Sequence, residues 1–237
     1  MKKTCGYILL EGGAEFGGKM ADADRKGIEL AGGHQVRIDI IPAAAAPDHN
    51  HVRAGENGVK WFKNLGATQV VNRLLIDYRT AQDPVMADEL EKSQFIYLLG
   101  GFPAHLAASL RGSKSWQGMH QAWKNGAVLG GSSAGAMVLA DHFYDPGEKQ
   151  IQPGLGLLTN LCIIPHYRRC AAAWINQIRT HLPDTLLLGL DEETGIINDA
   201  GEDGWTVYGK GNAYLHNQEK EVFHPDEKIP ATKLPAP

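Results

Sequence analysis

The chain has 237 residues, with 23 Lys and Arg against 27 Asp and Glu, a formal charge of −4, and 43% hydrophobic residues. This is the composition of an ordinary globular protein, and the length is sufficient to bury a sizeable core. The slight acidic excess offers no cluster of cations for nucleic acid or for an anionic membrane. We therefore expect no nucleic-acid partner and no membrane partner.

The cysteines and the apolar runs indicate the compartment. Cys5, Cys162 and Cys170 are odd in number and lack CxxC spacing, so they predict neither a disulfide framework nor a zinc site. The apolar run at 7–10 stops at Glu11 and is too short for a signal peptide, and no stretch reaches the roughly 18 apolar residues of a membrane helix. We expect a cytoplasmic protein. The chain has no HExxH motif, and we expect neither a metal nor a cofactor.

Through the first two thirds of the chain, short apolar runs alternate with helical patterns. Predicted strands cover 7–10, 36–41, 70–76, 95–99 and 127–129, and predicted helices cover 21–31, 53–65, 84–92, 103–110 and 115–125. This alternation predicts an α/β fold, a mostly parallel central sheet with helices on both faces. Glycine pairs at 12–13, 100–101 and 130–131 follow three of these strands, where such sheets bind ligands.

Beyond residue 185 the pattern changes to short apolar runs separated by Gly, Asp and Asn. These runs, at 186–190, 195–198, 205–208 and 213–216, predict short antiparallel strands at the C-terminus. Residues 225–237 contain several prolines among charges and predict a loosely held tail. The expected organisation is a single domain over 1–224 followed by this tail at 225–237.

The segment 127–140 contains the strongest catalytic motif. Gly-Ser-Ser-Ala-Gly at 131–135 matches G-x-S-x-G between a predicted strand and an apolar stretch that favours a helix. Small residues two positions either side of Ser133 allow a sharp turn that exposes its hydroxyl, beside the free N–H groups of the following helix. Ser132 is the alternative serine but lacks the flanking glycines. The same small residues also suit a tight strand-to-helix crossing without any catalytic role.

A nucleophilic serine needs a base, and the base needs an acid to orient it. His166 is the best candidate of the ten histidines because it follows the apolar run 161–164 and Pro165, at a predicted strand end. Asp191, Glu192 and Glu193 follow another predicted strand. Asp145 and Glu148, in the loop after the Ser133 helix, are fallback acids. A structural histidine and a solvated acidic turn are the alternative interpretations of these residues.

Together, these motifs resemble the peptidase S51 family of serine peptidases, which contains aspartyl dipeptidase (peptidase E) and cyanophycinase. The likeness rests on the order and spacing of four segments and covers nearly the whole chain. They are Leu-Gly-Gly at 99–101, Gly-Ser-Ser-Ala-Gly-Ala at 131–136, Gly-Leu-Gly-Leu at 154–157 leading to Pro-His-Tyr at 165–167, and Gly-Leu-Asp-Glu at 189–192. The resemblance implies a class I glutamine amidotransferase-like (flavodoxin-like) fold.

The resemblance also implies the roles of individual residues. It implies a triad of Ser133, His166 and Glu192, an acyl-enzyme, and an oxyanion hole formed by the backbone amides of Gly101 and Ala134. The implied substrate is a small peptide, with an acidic residue or an Asp-linked bond. The oligomeric state is left open between monomer and homodimer.

The substrate also stays open, because the family's specificity residues differ here. Cyanophycin-degrading members carry a Gln shortly after the glycine loop and an Asp-Gln pair before the histidine, whereas this chain has Phe102-Pro-Ala-His and Ile164-Pro165. The dipeptidases carry an Asn after their glycines, which is absent here. Candidate substrate-binding residues are Phe102, Arg168 and Arg169, since arginine grips carboxylates in a bidentate manner. A solvated face is the alternative for the two arginines.

Two other functions are compatible with the motifs. An α/β-hydrolase-type esterase also uses G-x-S-x-G, but its chain order of Ser, acid, His would require His216 or His224 as the base. A non-catalytic ligand-binding protein of the amidotransferase-like fold is the second alternative, because a fold does not guarantee activity. Glutamine amidotransfer is disfavoured because position 133 is a serine and not a cysteine.

Overall fold

The structure is a computed structural model that describes residues 5–199, 201, 204–217 and 219–235. The strands are β1 (Tyr7–Glu11), β2 (Arg37–Ile41), β3 (Gln69–Asn72), β4 (Phe95–Leu98), β5 (Val128–Ser132), β6 (His142–Asp145), β7 (Gln150–Pro153), β8 (Leu161–Ile164), β9 (Leu186–Leu190), β10 (Thr194–Ile197), β11 (Trp205–Gly209), β12 (Ala213–His216), β13 (Lys220–Phe223) and β14 (Lys228–Ile229). The helices are α1 (Met20–Ala31), α2 (His51–Asn64), α3 (Tyr78–Ala81), α4 (Pro84–Glu91), α5 (Pro103–Leu110), α6 (Lys114–Lys124), α7 (Ala134–Leu139) and α8 (Tyr167–His181), with a short 3₁₀ turn at Ala43–Ala45.

The larger sheet, which we call the main sheet, has eight strands in the order β14-β11-β10-β1-β5-β4-β2-β3. Strands β1, β5, β4, β2 and β3 pair in parallel, and β10, β11 and β14 continue the sheet in antiparallel. This arrangement confirms the predicted α/β fold with a mostly parallel sheet and short antiparallel strands near the C-terminus. The carboxyl ends of β1, β4 and β5 lie next to one another, because these strands are neighbours in the sheet.

Helices cover both faces of the main sheet, as the alternating side chains of its strands require. Ile8 and Leu10 of β1 belong to a core that also contains buried residues of α5, α6 and α7. Leu9, on the opposite face, belongs to a second core with buried residues of α1 and α2. Both apolar clusters pack against the central strands, so the site at the strand ends rests on a densely packed support.

A second, four-stranded sheet, which we call the small sheet, has the order β13-β12-β9-β8. Strands β8 and β9 pair in parallel, so their carboxyl ends also lie side by side. Leu188 of β9 joins the core on the α5–α7 face of the main sheet, whereas Leu187 faces a third cluster beneath α8. The sequence analysis expected one sheet with an antiparallel end. The late strands instead divide between two sheets, because both faces of β9 are apolar and each face is buried.

Two further segments differ from the expected pattern. The region of the fallback acids forms a hairpin, in which β6 pairs with β7. Within the predicted tail, β14 pairs with β11, Leu234 is 1% exposed, and the Trp205 indole donates to the Leu234 carbonyl at 2.9 Å. This part of 225–237 is therefore packed against the main sheet; Ala236 and Pro237 lie outside the described residues, and the proposed boundary at residue 224 stays a prediction.

Candidate active site

Ser133 lies in a sharp turn between β5 and α7. Its backbone angles are φ 49° and ψ −111°, which a side chain rarely adopts, so the turn is strained. A Cβ atom on Gly131 would overlap the backbone of Gly135, and a Cβ atom on Gly135 would overlap the carbonyl of Leu98. The two glycines are therefore required for this path of the chain, as the motif predicts.

The two adjacent serines point to different surroundings. Ser132, the last residue of β5, is fully buried, and its hydroxyl donates to Oε2 of Glu15 at 2.6 Å. Ser133 is only partly buried, and its Oγ lies 3.0 Å from Nε2 of His166. Of the two hydroxyls, that of Ser133 is thus the one within reach of an imidazole base.

His166 stands between β8 and α8, where β8 ends through Pro165. It caps the helix in a left-handed conformation with φ 47° and ψ 42°. The imidazole is 20% exposed, and its Nδ1 lies 2.8 Å from Oε1 of Glu192. With Nδ1 protonated toward Glu192, Nε2 is left free to accept the proton of Ser133. The three side chains form one continuous hydrogen-bonded chain.

The three consecutive acids after β9 have three different environments. Asp191 is buried, and its Oδ2 accepts hydrogen bonds from the Asn212 amide at 3.0 Å and the Tyr214 hydroxyl at 3.1 Å. Glu193 accepts a bond from the Lys19 amide at 3.1 Å. The intervening Glu192 faces His166 with a side chain that is 50% exposed. The order of these residues along the chain, Ser133, His166, Glu192, differs from the order Ser, acid, His of α/β-hydrolases.

The backbone after β1 connects the segments that carry these three side chains. The Glu11 carbonyl accepts a hydrogen bond from the Ser133 amide at 3.0 Å, and the Gly12 carbonyl accepts one from the His166 amide at 2.8 Å. The Gly13 carbonyl accepts one from the Glu193 amide at 3.1 Å. Gly13 has φ 108°, and a Cβ atom there would overlap the His166 ring. The end of β1 therefore holds the segments of Ser133, His166 and Glu193 in fixed relative positions.

The loop after β4 lies beside the nucleophile. A Cβ atom on Gly100 would stand 3.3 Å from Cβ of Ser133, and Gly101 has φ 136°, with the Ala44 carbonyl occupying the space of a side chain. Within the described chain, the Gly101 amide donates no hydrogen bond to another backbone carbonyl or side chain. The Ala134 amide belongs to the first turn of α7, where backbone N–H groups have no intrahelical acceptor. Phe102 is 48% exposed and begins α5.

Arg168 and Arg169 lie in the first turn of α8, where cations are disfavoured by the helix dipole. Each is more than 70% exposed and each is paired with an acid: Arg168 Nε lies 3.1 Å from Oδ2 of Asp191, and Arg169 lies 3.7 Å from Oε1 of Glu192. The two arginines border a cavity of about 350 Å³ next to His166 and Glu192. They are thus neighbours of the imidazole, and the acids hold their guanidinium groups near it.

Two buried acids lie beneath the site on the α1–α2 face. Burial, together with the charge of Asp24, raises the pKa of Glu11 well above its usual range. Burial raises the pKa of Asp24 to about 7, although the indole of Trp61 donates to it at 2.7 Å. Tyr97 donates a hydrogen bond to Glu11. Burial therefore favours the protonated form of both carboxyls.

The other candidate residues lie elsewhere. His216 bonds to the Tyr167 hydroxyl at 2.5 Å, and His224 bonds to the Asn212 side chain at 3.0 Å. Asp145 accepts from the Gly147 amide at 2.9 Å, and Glu148 is exposed in the hairpin. Neither histidine is hydrogen-bonded to Ser133 in the part of the chain that the structure describes.

Sequence reasoning missed Glu15. Its carboxylate accepts the Ser132 hydroxyl and also the Gly100 amide, at 3.3 Å. The available signal was its position shortly after the Gly12-Gly13 pair, at the same edge of the sheet as the other two glycine pairs. The glycine pairs predict the location of the site but not the role of the acid next to them.

The described residues contain no group of three or more His, Cys, Asp or Glu side chains placed to hold a metal ion. Within the same ranges, no helix combines the length and the apolar character needed to cross a membrane. Cys5, Cys162 and Cys170 are all free, and burial raises the pKa of the Cys162 thiol to about 12.

Comparison with known proteins identifies relatives over nearly the whole chain. The profile of peptidase family S51 matches residues 8–202. A cyanophycinase of Synechococcus elongatus is 30% identical over 224 residues, covering 89% of this chain and 67% of the relative. A cyanophycinase of Geminocystis herdmanii is 28% identical over 236 residues, covering 94% of this chain and 85% of the relative.

Solved structures agree in fold. A peptidase from an acI-B1 actinobacterium superposes with a TM-score of 0.82 at 26% identity, covering 95% of this chain and 97% of the other. A candidate peptidase E from Listeria monocytogenes superposes with a TM-score of 0.61 at 19% identity, covering 91% and 100%, and supports the fold alone. From the profile match over most of its length and from these relatives, the chain belongs to peptidase family S51 and is a serine hydrolase.

Proposed function

We propose that this serine peptidase hydrolyses small peptides through an acyl-enzyme on Ser133, with His166 as the base and Glu192 as the orienting acid. The observation that carries the proposal is the hydrogen-bonded chain from Ser133 Oγ through both ring nitrogens of His166 to Glu192, at 3.0 and 2.8 Å. These distances are within the range that nucleophile activation requires.

In the first half of the reaction, Ser133 Oγ attacks the scissile carbonyl carbon while His166 Nε2 takes the hydroxyl proton. Collapse of the tetrahedral intermediate breaks the C–N bond, and the imidazolium returns the proton to the leaving amine. A water molecule then attacks the acyl ester, again with its proton passing to Nε2, and Ser133 is regenerated as the acid product leaves. Glu192 stabilises the imidazolium in both halves.

The negative oxygen of each tetrahedral intermediate would be bound by the backbone amides of Gly101 and Ala134. Both amides lack a backbone acceptor within the described chain, and both belong to segments that flank Ser133. Backbone donors held in place before the reaction stabilise a developing oxyanion without reorganisation. This pair of donors is therefore the proposed oxyanion hole.

The proposed substrate is a peptide with an acidic residue or an Asp-linked isopeptide bond. Arg168 and Arg169 support it, because their guanidinium groups stand beside the cavity at His166 and can each offer further N–H donors to a carboxylate. Phe102 is proposed as an apolar contact. The names of the cyanophycinase relatives make cyanophycin a further substrate to examine. A cytoplasmic monomer or homodimer completes the proposal; the free cysteines support a reducing compartment.

The test combines a substrate panel with a covalent probe. Purified protein is assayed on N-terminal-Asp, β-Asp and isoaspartyl dipeptides and on cyanophycin, and is labelled with a fluorophosphonate. Ser133→Ala is expected to lower turnover by about 10⁵- to 10⁶-fold and to abolish labelling. Ser115→Ala is the matched control, because Ser115 is fully buried in α6. Unchanged turnover in Ser133→Ala would exclude the proposed nucleophile, and hydrolysis of none of these substrates would exclude the proposed substrate class.

A further inference from the structure

Glu15 lies in the loop after β1 and contacts two separate parts of the proposed catalytic machinery. Its Oε2 accepts the hydroxyl of Ser132 at 2.6 Å, and its Oε1 accepts the amide of Gly100 at 3.3 Å. Ser132 ends β5 and directly precedes Ser133, whereas Gly100 follows β4 and directly precedes Gly101. One carboxylate thus joins the turn that carries the nucleophile to the glycine loop that carries a proposed oxyanion donor.

The fit around this carboxylate is close. A Cβ atom on Gly100 would stand 3.0 and 3.1 Å from the two Glu15 oxygens and 3.3 Å from Cβ of Ser133. Gly100 therefore fills the space between the carboxylate and Ser133, and a side chain there would have to displace one of them. A displacement of the carboxylate would free both Gly100 and Ser132 to shift, and with them the two amides that flank Ser133.

We propose that Glu15 is a positioning residue that sets the distance between the Gly101 amide and the Ser133 turn. The inference rests on the proposed acyl transfer at Ser133. Each side of the oxyanion hole belongs to a different strand, and a small relative shift of two donors costs much of their stabilisation of the transition state. Two hydrogen bonds accepted by one carboxylate, from Ser132 at the end of β5 and from Gly100 after β4, prevent that shift.

The charge of Glu15 argues for positioning and against direct participation. A negative group close to the developing oxyanion opposes it electrostatically, so the carboxylate gains nothing by touching the reacting atoms. Its two oxygens instead accept hydrogen bonds from the Ser132 hydroxyl and the Gly100 amide. The effect of Glu15 on kcat must therefore come from the positions of these two groups, and a neutral side chain of the same shape should keep most of that effect.

Kinetic constants of Glu15→Ala and Glu15→Gln provide the test. We expect Glu15→Ala to lower kcat by about 10²-fold with KM changed by less than about threefold, since the lost interaction matters only in the transition state. Glu15→Gln keeps an acceptor and the shape, so its kcat is expected within about tenfold of the parent chain. Glu56→Ala, an exposed acid of α2, is the control variant.

A double-mutant cycle separates positioning from a general loss of stability. Ser132→Ala removes one of the two donors to Glu15, and the double variant is expected to lose no more activity than Glu15→Ala alone. A peptide aldehyde, which forms an oxyanion on the serine, should lose affinity in parallel with kcat, whereas a product dipeptide should not.

Three results would overturn the inference: a kcat of Glu15→Ala within about threefold of the parent, an effect on KM alone, or an activity of Glu15→Gln as low as that of Glu15→Ala. If Glu15→Ala does not fold, Ser132→Ala still decides the matter: loss of the Ser132 hydroxyl is expected to lower kcat, and an unaltered kcat would contradict a role for this contact. Fluorophosphonate labelling of the parent chain reports on the proposed function separately.

Discussion

The main sheet and the small sheet contribute different parts of the candidate site and hold them in different ways. The main sheet carries Ser133 and the glycine loops at the ends of β1, β4 and β5, where an added side chain would overlap backbone atoms at Gly101, Gly131 and Gly135. The small sheet carries His166 after β8 and Glu192 after β9, where position depends on hydrogen bonds between side chains that are 20% and 50% exposed. The nucleophile is thus held by steric exclusion, and the imidazole and acid by polar contacts.

The end of β1 joins the two halves. Its carbonyl groups accept hydrogen bonds from the amides of Ser133, His166 and Glu193, one from each segment. The side chains on the small-sheet half have water as an alternative partner, whereas Gly131 and Gly135 on the main-sheet half admit no side chain without an overlap. We therefore expect substitutions on the main-sheet half and at the junction to act through geometry, and those on the small-sheet half to act mainly through chemistry.

The largest expected effect is on the small-sheet half. His166→Ala should lower kcat by about 10⁵- to 10⁶-fold, and Glu192→Gln by about 10²- to 10⁴-fold, because water can reach the imidazole in place of the half-exposed Glu192. The double variant should be no slower than His166→Ala alone. Single-turnover assays measure this, with Glu221→Gln on β13 as the control. Equal losses of kcat in His166→Ala and Glu192→Gln would contradict the expectation that water can replace the half-exposed Glu192.

Gly13→Ala tests the junction. The new Cβ atom would overlap the His166 ring at a residue whose φ is 108°, so the ring must move away from Ser133. We expect kcat to fall about 10²-fold. Gly17→Ala in the same loop is the matched control, because no atom lies within 4 Å of the position of its Cβ. Full activity of Gly13→Ala would show that the ring does not depend on this contact.

Arg169→Met examines substrate binding on the small-sheet half. Loss of a charge-assisted hydrogen bond should raise KM for acidic dipeptides about tenfold and leave KM for neutral dipeptides unchanged. Arg168→Met should behave in the same way but with lower stability, since Arg168 also pairs with the buried Asp191. Initial-rate kinetics on matched acidic and neutral dipeptides measure both. The same increase on neutral substrates would reject a carboxylate-binding role.

Asp24→Asn, beneath the main-sheet half, is expected to change stability and not chemistry. The pKa of Asp24 in the folded state is raised from 3.8 to about 7. Protonated Asp24 therefore contributes to the free energy of unfolding below pH 4, and this stabilisation is lost as pH rises toward 7. Asparagine does not ionise, so its stability does not fall in this way. As pH rises from 5 to 8, the free energy of unfolding of the variant should increase relative to that of the parent by on the order of 2 kcal/mol. Melting temperatures at these two pH values measure this, with the exposed Asp22→Asn as the control. Parallel pH profiles of parent and variant would contradict it.

The sequence predicted much of the fold because the decisive signals are local. Apolar runs of strand length and helical periodicity depend on neighbouring residues only, and the predicted elements of the first two thirds overlap observed ones. The strand predicted over 70–76 ends at Asn72, however, and the short helix α3 was not predicted. The hairpin of β6 and β7 was missed, because Phe143 and Tyr144 stand beside Asp145, Pro146 and Gly147, which favour a loop. The turn at Ser133 was predictable because its glycines lie within two residues of it.

The local sequence pattern did not predict which side chains form hydrogen bonds with one another. Three adjacent acids follow β9, and nothing in their order shows that Asp191 is buried, that Glu193 binds Lys19, or that Glu192 faces His166. The resemblance to the S51 family pointed to Glu192, but the residues alone did not. Glu15 escaped notice for the same reason, since its two partners, Gly100 and Ser132, are far away in the chain.

By itself, then, the sequence determined the βα order of the main sheet, the strand-turn-helix path at Ser133 and the membership of its motifs in one family. Only the tertiary structure decided the division of the late strands between two sheets, the junction at Gly12 and Gly13, and the pairing of each charged side chain. The physical reason is the range of the interactions: backbone preference and hydrophobic periodicity act over a few residues, whereas packing and hydrogen-bond partners depend on which strands become neighbours.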